Sequence, residues 1–135
     1  ELSVAAAMQP APSPVQVGAR PVDIAARLAE EGRGALPVVD ADGNVFGVVS
    51  ARAIEGALRD GERDVTAGDL AETTPLLLLT DDLREAAGLL AAGEEALPVL
   101  EPGGKFVGWL EHRDVLRIYS HPAPLRATEG EQVLS

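Results

Sequence analysis

The 135-residue chain has no cysteine. Disulfides, thiolate nucleophiles and cysteine-based zinc sites are thereby excluded, and a reducing compartment is allowed. Aromatic residues are few, at 3%, so the core must be built from Leu, Val, Ile and Ala. A core of such small side chains is thin per residue, which predicts that two halves or two subunits share apolar surface. Basic charge is scarce: 11 Lys and Arg stand against 22 Asp and Glu, for a net charge of -11, and Lys105 is the only lysine. Without a Lys/Arg cluster to displace counterions, nucleic acid is not an expected partner, nor is an anionic lipid surface. No apolar run approaches the roughly 20 residues that span a bilayer; the leucine run Leu76 to Leu79 is expected as a buried strand. The chain opens on Glu1 with no charged-then-apolar leader, so it is expected to be a piece of a longer protein with no membrane insertion of its own.

What the chain does have is itself, twice. Leu36-Pro37-Val38-Val39 returns sixty-one positions later as Leu97-Pro98-Val99-Leu100, and Gly47-Val48-Val49 returns as Gly108-Trp109-Leu110. At the same offset Pro14 meets Pro75, Ala25-Ala26 meets Ala86-Ala87, Leu28 meets Leu89 and Arg52 meets Arg113. The register reads without a gap from Pro14 onward, which identifies an internal duplication. Val4 to Met8 and Thr66 to Leu70 form lead-in segments that correspond with a one-residue slip.

Each copy predicts a β-α-β-β-α unit. Val15 to Val17 and Leu76 to Leu79 read as strands between a proline and turn residues. Val22, Ile24, Ala25, Leu28 and Ala29, then Leu83, Ala86, Ala87, Leu89 and Leu90, fall at helical spacing. Pro21 suits a first helical turn, Thr80 or Asp81 a cap, and Gly32 and Gly93 the helix ends. Leu36–Val39 and Val45–Val49 flank Asp40 to Asn44 as a hairpin, as do 97–100 and 106–110 around Pro102 to Lys105. Ala51–Leu58 and His112–Tyr119 close the units as helices. The expected fold class is α/β (α+β): tandem repeats whose two small sheets pack together with pseudo-two-fold symmetry. The expected divisions are a lead-in at 1–13, repeat 1 at 14–61, repeat 2 at 62–121 and a frayed tail at 122–135.

A strand ending Leu-Pro-Val-Val, an Asp-Gly hairpin and Gly-Val-Val-Ser entering a helix, all duplicated, resemble a CBS-domain pair, or Bateman module, over Val4 to about Ser120. Val65 to Leu70, with 108–116, is most similar to the cytoplasmic pairs of bacterial chloride channels and proton-chloride exchangers. The resemblance implies a non-catalytic regulatory module that forms a homodimer on the cytoplasmic side of an attached transmembrane channel or transporter. It requires no cofactor, and it implies AMP, ADP or ATP as a regulatory ligand in clefts between the repeats. The candidate cleft residues are Ser50, Arg52, Thr74, Pro75, Ala96, Leu97, Pro98, Arg113 and Asp114.

The family's pocket signature is a glycine, two apolar residues, Ser or Thr, two variable residues and Asp. The hydroxyl and a helix N-terminus meet phosphate, and the Asp accepts the ribose hydroxyls. Here Gly47-Val48-Val49-Ser50 keeps the hydroxyl but has Ala53 at the Asp place, while the second copy keeps Asp114 but has Glu111 at the hydroxyl place. A carboxylate there repels phosphate. The second cleft, which keeps Asp114, is the favoured site, with Arg113 or Arg52 to receive phosphates. Asp114 has a second reading as an acid stabilising a helix N-terminus. Trp109 reads as core or subunit contact, His112 and His121 as surface residues, and Glu30-Glu31 and Glu94-Glu95 as solvated helix ends. No catalytic motif is present. Two functions stay open: a sensor of an adenosine nucleotide, and a ligand-free dimerisation scaffold.

Overall fold

A computed structural model describes residues 1–121; the expected frayed tail, 122–135, lies outside them. Two β-α-β-β-α units follow one another. The first consists of β2 (Val15–Gln16), α1 (Pro21–Glu31), β3 (Ala35–Val39), β4 (Val45–Ser50) and α2 (Ala51–Arg59). The second consists of β5 (Leu77–Leu78), α4 (Leu83–Ala91), β6 (Ala96–Leu100), β7 (Phe106–Glu111) and α5 (His112–Ser120). Ahead of each unit runs a lead-in: a 3-10 turn (Val4–Ala6) and β1 (Gln9–Pro10) before the first, α3 (Ala67–Leu70) before the second.

The lead-ins are exchanged between the units. β1 pairs antiparallel with β7 of the second unit, giving a four-stranded sheet in the order β1-β7-β6-β5. Val4 and Ala7 are buried in that unit's core with Leu83, Leu90, Leu97 and Leu110. Conversely Ala67 is buried in the first unit's core with Ile24, Leu28, Leu36 and Ile54, its N–H donating to the carbonyl of Ala19. Glu72 bridges antiparallel to Val48 beside the three-stranded sheet β2-β3-β4. Each unit thus completes its core with a segment from the other's side of the chain. A third cluster, Ala35, Val48, Ala96 and Trp109, joins the units where β4 meets β6.

The glycines that recur in the sequence mark these crossings. A Cβ on Gly47 would stand 2.6 Å from the carbonyl oxygen of Glu72, and one on Gly108 would collide with the sulfur of Met8. At Gly47 only glycine lets the lead-in backbone approach so closely, whereas at Gly108 the close neighbour is a flexible side chain.

The repeat register is not uniform. From β3 onward the offset is sixty-one, as Ala35↔Ser50 against Ala96↔Glu111 shows. Across the first strand and helix it is sixty-two: Val15 pairs with Val38 but Leu77 with Val99, and buried Pro21, Ile24 and Leu28 match Leu83, Ala86 and Leu90. In the lead-ins it is sixty-three, Gln9 facing Trp109 as Glu72 faces Val48. The ungapped reading from Pro14, and the one-residue slip before it, are corrected accordingly. The extra residue lies in the longer end of α1, so Val22 turns outward (64% exposed) and Pro21 takes the buried place. Gly32 ends α1 at φ 62 and Gly93 follows α4 at φ 130, both left-handed as expected.

Leu76 to Leu79 is also not a buried strand. β5 sits at the sheet edge and pairs only with β6. Side chains alternate across a strand, so Leu77 is buried while Leu76 and Leu78 are exposed.

Candidate functional site

Each strand-to-helix junction opens on a cleft, and the two clefts are related by the repeat. The first lies at β4–α2 and is lined by Ser50, Arg52, Glu72, Thr74, Glu94 and Glu95, with a volume of about 200 Å³. The second lies at β7–α5 and is lined by Gly32, Gly34, Ala96, Glu111, His112 and Arg113, also about 200 Å³. Glu95 borders both.

In the first cleft the polar groups are largely uncommitted. Ser50 caps α2, its Oγ accepting from the Ala53 N–H at 3.1 Å, which leaves its own hydroxyl hydrogen free. Arg52 has no ion-pair partner among the described residues. The Thr74 hydroxyl is buried, and it is the one buried side-chain polar atom among the described residues without a hydrogen-bond partner. Leaving such a group unpaired costs about 1–3 kcal/mol, so a ligand hydroxyl or ring nitrogen reaching it recovers that cost. Against these stand three carboxylates, Glu72, Glu94 and Glu95.

In the second cleft the corresponding groups are spent. Glu111 aligns with Ser50 and accepts hydrogen bonds from Arg33 Nη1 at 2.7 Å and from the Trp109 indole N–H at 2.8 Å. Its other oxygen is 3.0 Å from Arg113 Nε. Arg33 also donates to Glu31 at 3.0 Å, tying the end of α1 to the start of α5. Glu31 receives a further bond from Arg27 at 2.7 Å. That bond, more than the one from Arg33, holds the Glu31 carboxyl below its usual range.

Asp114 lies under this network rather than in the cleft. It is 1% exposed and is absent from the lining of both clefts. Its Oδ2 accepts from the Glu111 backbone N–H at 2.8 Å and from the Gln9 side-chain amide at 2.9 Å. Arg117 approaches Oδ1 at 3.5 Å. The geometry is that of a carboxylate fixing the first turn of α5 and tying β1 to it.

The remaining sequence candidates divide. Ser50, Arg52 and Thr74 come together in the first cleft, and Ala96 and Arg113 line the second. Leu97 and Pro98 are buried within β6, Pro98 opposite Trp109, and Pro75 lines neither cleft. Trp109 is fully buried at the junction of the sheets, edge-on to Phe106 at 6.4 Å. His112 sets a ring nitrogen 3.1 Å from the Glu94 carbonyl. The acid pair did not read as cleft lining in the sequence, yet Glu94 and Glu95 are carried there by the turn at Gly93. Glu72 and Gln9 also escaped it, because their roles depend on the exchange of lead-ins. Among the described residues no His, Asp and Glu group could hold a metal, and no helix is long and apolar enough to cross a membrane.

The family model described as "CBS domain" matches the chain twice, over residues 4–60 and 67–121. The chain belongs to the CBS domain family. This CBS pair is similar in fold to CBSX2, solved in complex with AMP, at 26% identity and a TM-score of 0.76, covering 90% of this chain and 98% of that one. It is also similar to a hypothetical conserved protein from Geobacillus kaustophilus, at 25% identity and 0.72, with the same coverage. The CBS domain pair of MJ0100, solved with 5′-methylthioadenosine and S-adenosyl-L-methionine, shares the fold at 17% identity and 0.74, again over 90% and 98%. No curated protein matches the chain in a sequence search. CBS domains are generally regulatory, non-catalytic modules.

Proposed function

We propose that this CBS pair is a non-catalytic regulatory module that binds an adenosine ligand in its first cleft. The observation that carries the reading is the buried, unpartnered Thr74 hydroxyl, which shares the cleft with the Ser50 hydroxyl and with Arg52, itself without an ion-pair partner among the described residues. The relatives solved with AMP or with adenosyl compounds support the ligand class. The cleft is smaller than the roughly 300 Å³ at which ligand sites usually begin. Occupancy therefore requires the two units to part slightly, and a ligand that binds the wider arrangement better shifts the pair toward it. With one arginine among three carboxylates, the cleft favours adenosine, a monophosphate or a cationic adenosyl compound over a triphosphate.

The test is thermal shift and calorimetry with adenosine, AMP, ADP, ATP and S-adenosylmethionine. A true ligand at a hundredfold excess over Kd stabilises by about 2.7 kcal/mol, and Arg52→Ala and Thr74→Val should each diminish the shift. No shift with any of the five at millimolar concentration would sink the reading.

The module's partner is read as a second copy of itself. Val22 and Leu58 on one unit, and Leu116 and Tyr119 on the other, are large apolar side chains left exposed on helices, as expected of a thin core that shares surface. Sedimentation equilibrium should show a dimer that Leu116→Glu weakens, and a monomer at all concentrations would refute it. Attachment to a chloride channel or exchanger at the cytoplasmic face rests on the resemblance of 65–70 and 108–116 alone.

A further inference from the structure

We infer that the second cleft is filled by the chain's own groups, with Glu111 seated where an external oxyanion would bind, so that the pair has one open ligand site rather than two. The inference rests on reading the first cleft as a ligand site, and it concerns why its counterpart is not one. Three groups converge on Glu111: Arg33 Nη1 and the Trp109 indole N–H donate hydrogen bonds at 2.7 and 2.8 Å, and Arg113 forms an ion pair with its Nε 3.0 Å away. Two guanidiniums and an indole at the start of α5 make a seat for an oxyanion. The occupant here is covalently attached, so it is always present at high effective concentration.

The contrast with the first cleft is positional. Where the second cleft has Glu111 held by Arg33, the repeat places Ser50 and Glu94 in the first. The arginines at 52 and 113 are equivalent, yet only Arg113 has a carboxylate partner. The ribose acceptor is withdrawn as well, because Asp114 is 1% exposed, lies outside the cleft lining and binds the Gln9 amide and the Glu111 N–H through Oδ2. A phosphate entering the second cleft would have to displace Glu111 from its two donors and from Arg113, and then lie beside the carboxylate it displaced, a like-charge contact at short range.

The experiment uses the chain's single tryptophan as a reporter, since its N–H is bonded to the proposed occupant. The probes are inorganic phosphate and AMP, and the readouts are the Trp109 indole N–H resonance and calorimetric stoichiometry. All arms carry Arg52→Ala to silence the first cleft. With Glu111 intact, neither probe should move the indole resonance at millimolar concentration. With Glu111→Thr, which restores a capping hydroxyl, both probes should bind at one per chain and at least about tenfold more tightly, and adding Arg33→Ala should abolish the gain. If Glu111→Thr does not fold, Glu111→Gln keeps the side chain's length and its reach to Trp109 while removing the competing charge, and should show the same gain. A saturable indole shift with Glu111 intact, or a folded Glu111 variant that gains no phosphate binding, would overturn the inference. Failure of the first-cleft reading is seen separately, as absence of AMP binding to the chain with Arg52 in place.

Discussion

Replacing Asp114 by alanine separates its two possible roles, because one is read in stability and the other in ligand affinity. The carboxylate is 1% exposed and accepts from the Glu111 N–H and the Gln9 amide. Losing the bond at the helix start costs about 1 kcal/mol. Stranding the Gln9 amide, part-buried between β1 and α5, adds about 1–3 kcal/mol. Arg117 is mostly exposed and stands 3.5 Å away, so its loss adds little. The sum is about 2–4 kcal/mol, or roughly 8–16 °C in melting temperature for a domain of this size. Asp114→Asn keeps one acceptor and should lose about half as much. Urea denaturation of Asp114→Ala, Gln9→Ala and the double variant measures the coupling, expected at about 1 kcal/mol or more. The adenosine-dependent shift of the intact chain should persist in Asp114→Ala. A variant within about 0.5 kcal/mol of the parent that loses ligand binding would refute the structural role and restore Asp114 as a ribose acceptor.

Gly47→Ala should destabilise by about 2–3 kcal/mol and Gly108→Ala by about 1, both read by denaturant midpoint, because the first meets a backbone carbonyl and the second a pliable methionine. Equal costs would show that the lead-in backbone yields as easily as a side chain. For Glu31, the folded carboxyl titrates below its ordinary range, chiefly through Arg27 and then through Arg33. Its stabilisation is therefore fully present above the unfolded pKa of about 4.3 and is lost as pH falls through the lower folded value. Glu31→Gln should flatten the acid limb of the stability–pH curve relative to the parent; an unchanged limb would assign the acid sensitivity elsewhere.

The duplication was legible because it is carried by residues with local reasons to recur. Leu-Pro-Val-Val fills a strand buried along its length, and Gly43 and Gly104 take the positive φ that the hairpins need. The helices at 51 and 112 were legible to within a residue. The register error at α1 arose because Leu28 aligns equally well with Leu89 or Leu90, and only burial against the sheet distinguishes them. The exchange of lead-ins left only the recurring Gly47 and Gly108 as a local trace. Gln9 and Glu72 look like ordinary polar loop residues, and their partners are distant in sequence. The cleft hydroxyls, carboxylates and arginines were visible as residue types, but which of them remain free is a property of their pairings.

Those pairings also bear on how a ligand in one cleft could be felt across the module. Glu95 borders both clefts, and its neighbour Glu94 lines the first while its carbonyl meets His112 of α5. Widening the first cleft must move the turn after Gly93, which carries these two acids. That turn faces Gly34, whose Cα lies close enough that an added Cβ would be 3.2 Å from the Glu95 carboxylate. Gly34 in turn adjoins Arg33, which holds Glu111. On the proposed reading, a displacement at the first cleft would reach the Glu111 clamp of the second through packed groups rather than through a flexible link. A two-state response requires that some element in this chain have two discrete arrangements. Within this chain of contacts the Arg33–Glu111 pair is the ion pair that links the end of α1 to the start of α5, and on the proposed reading it is the pair whose loss would uncouple the clefts.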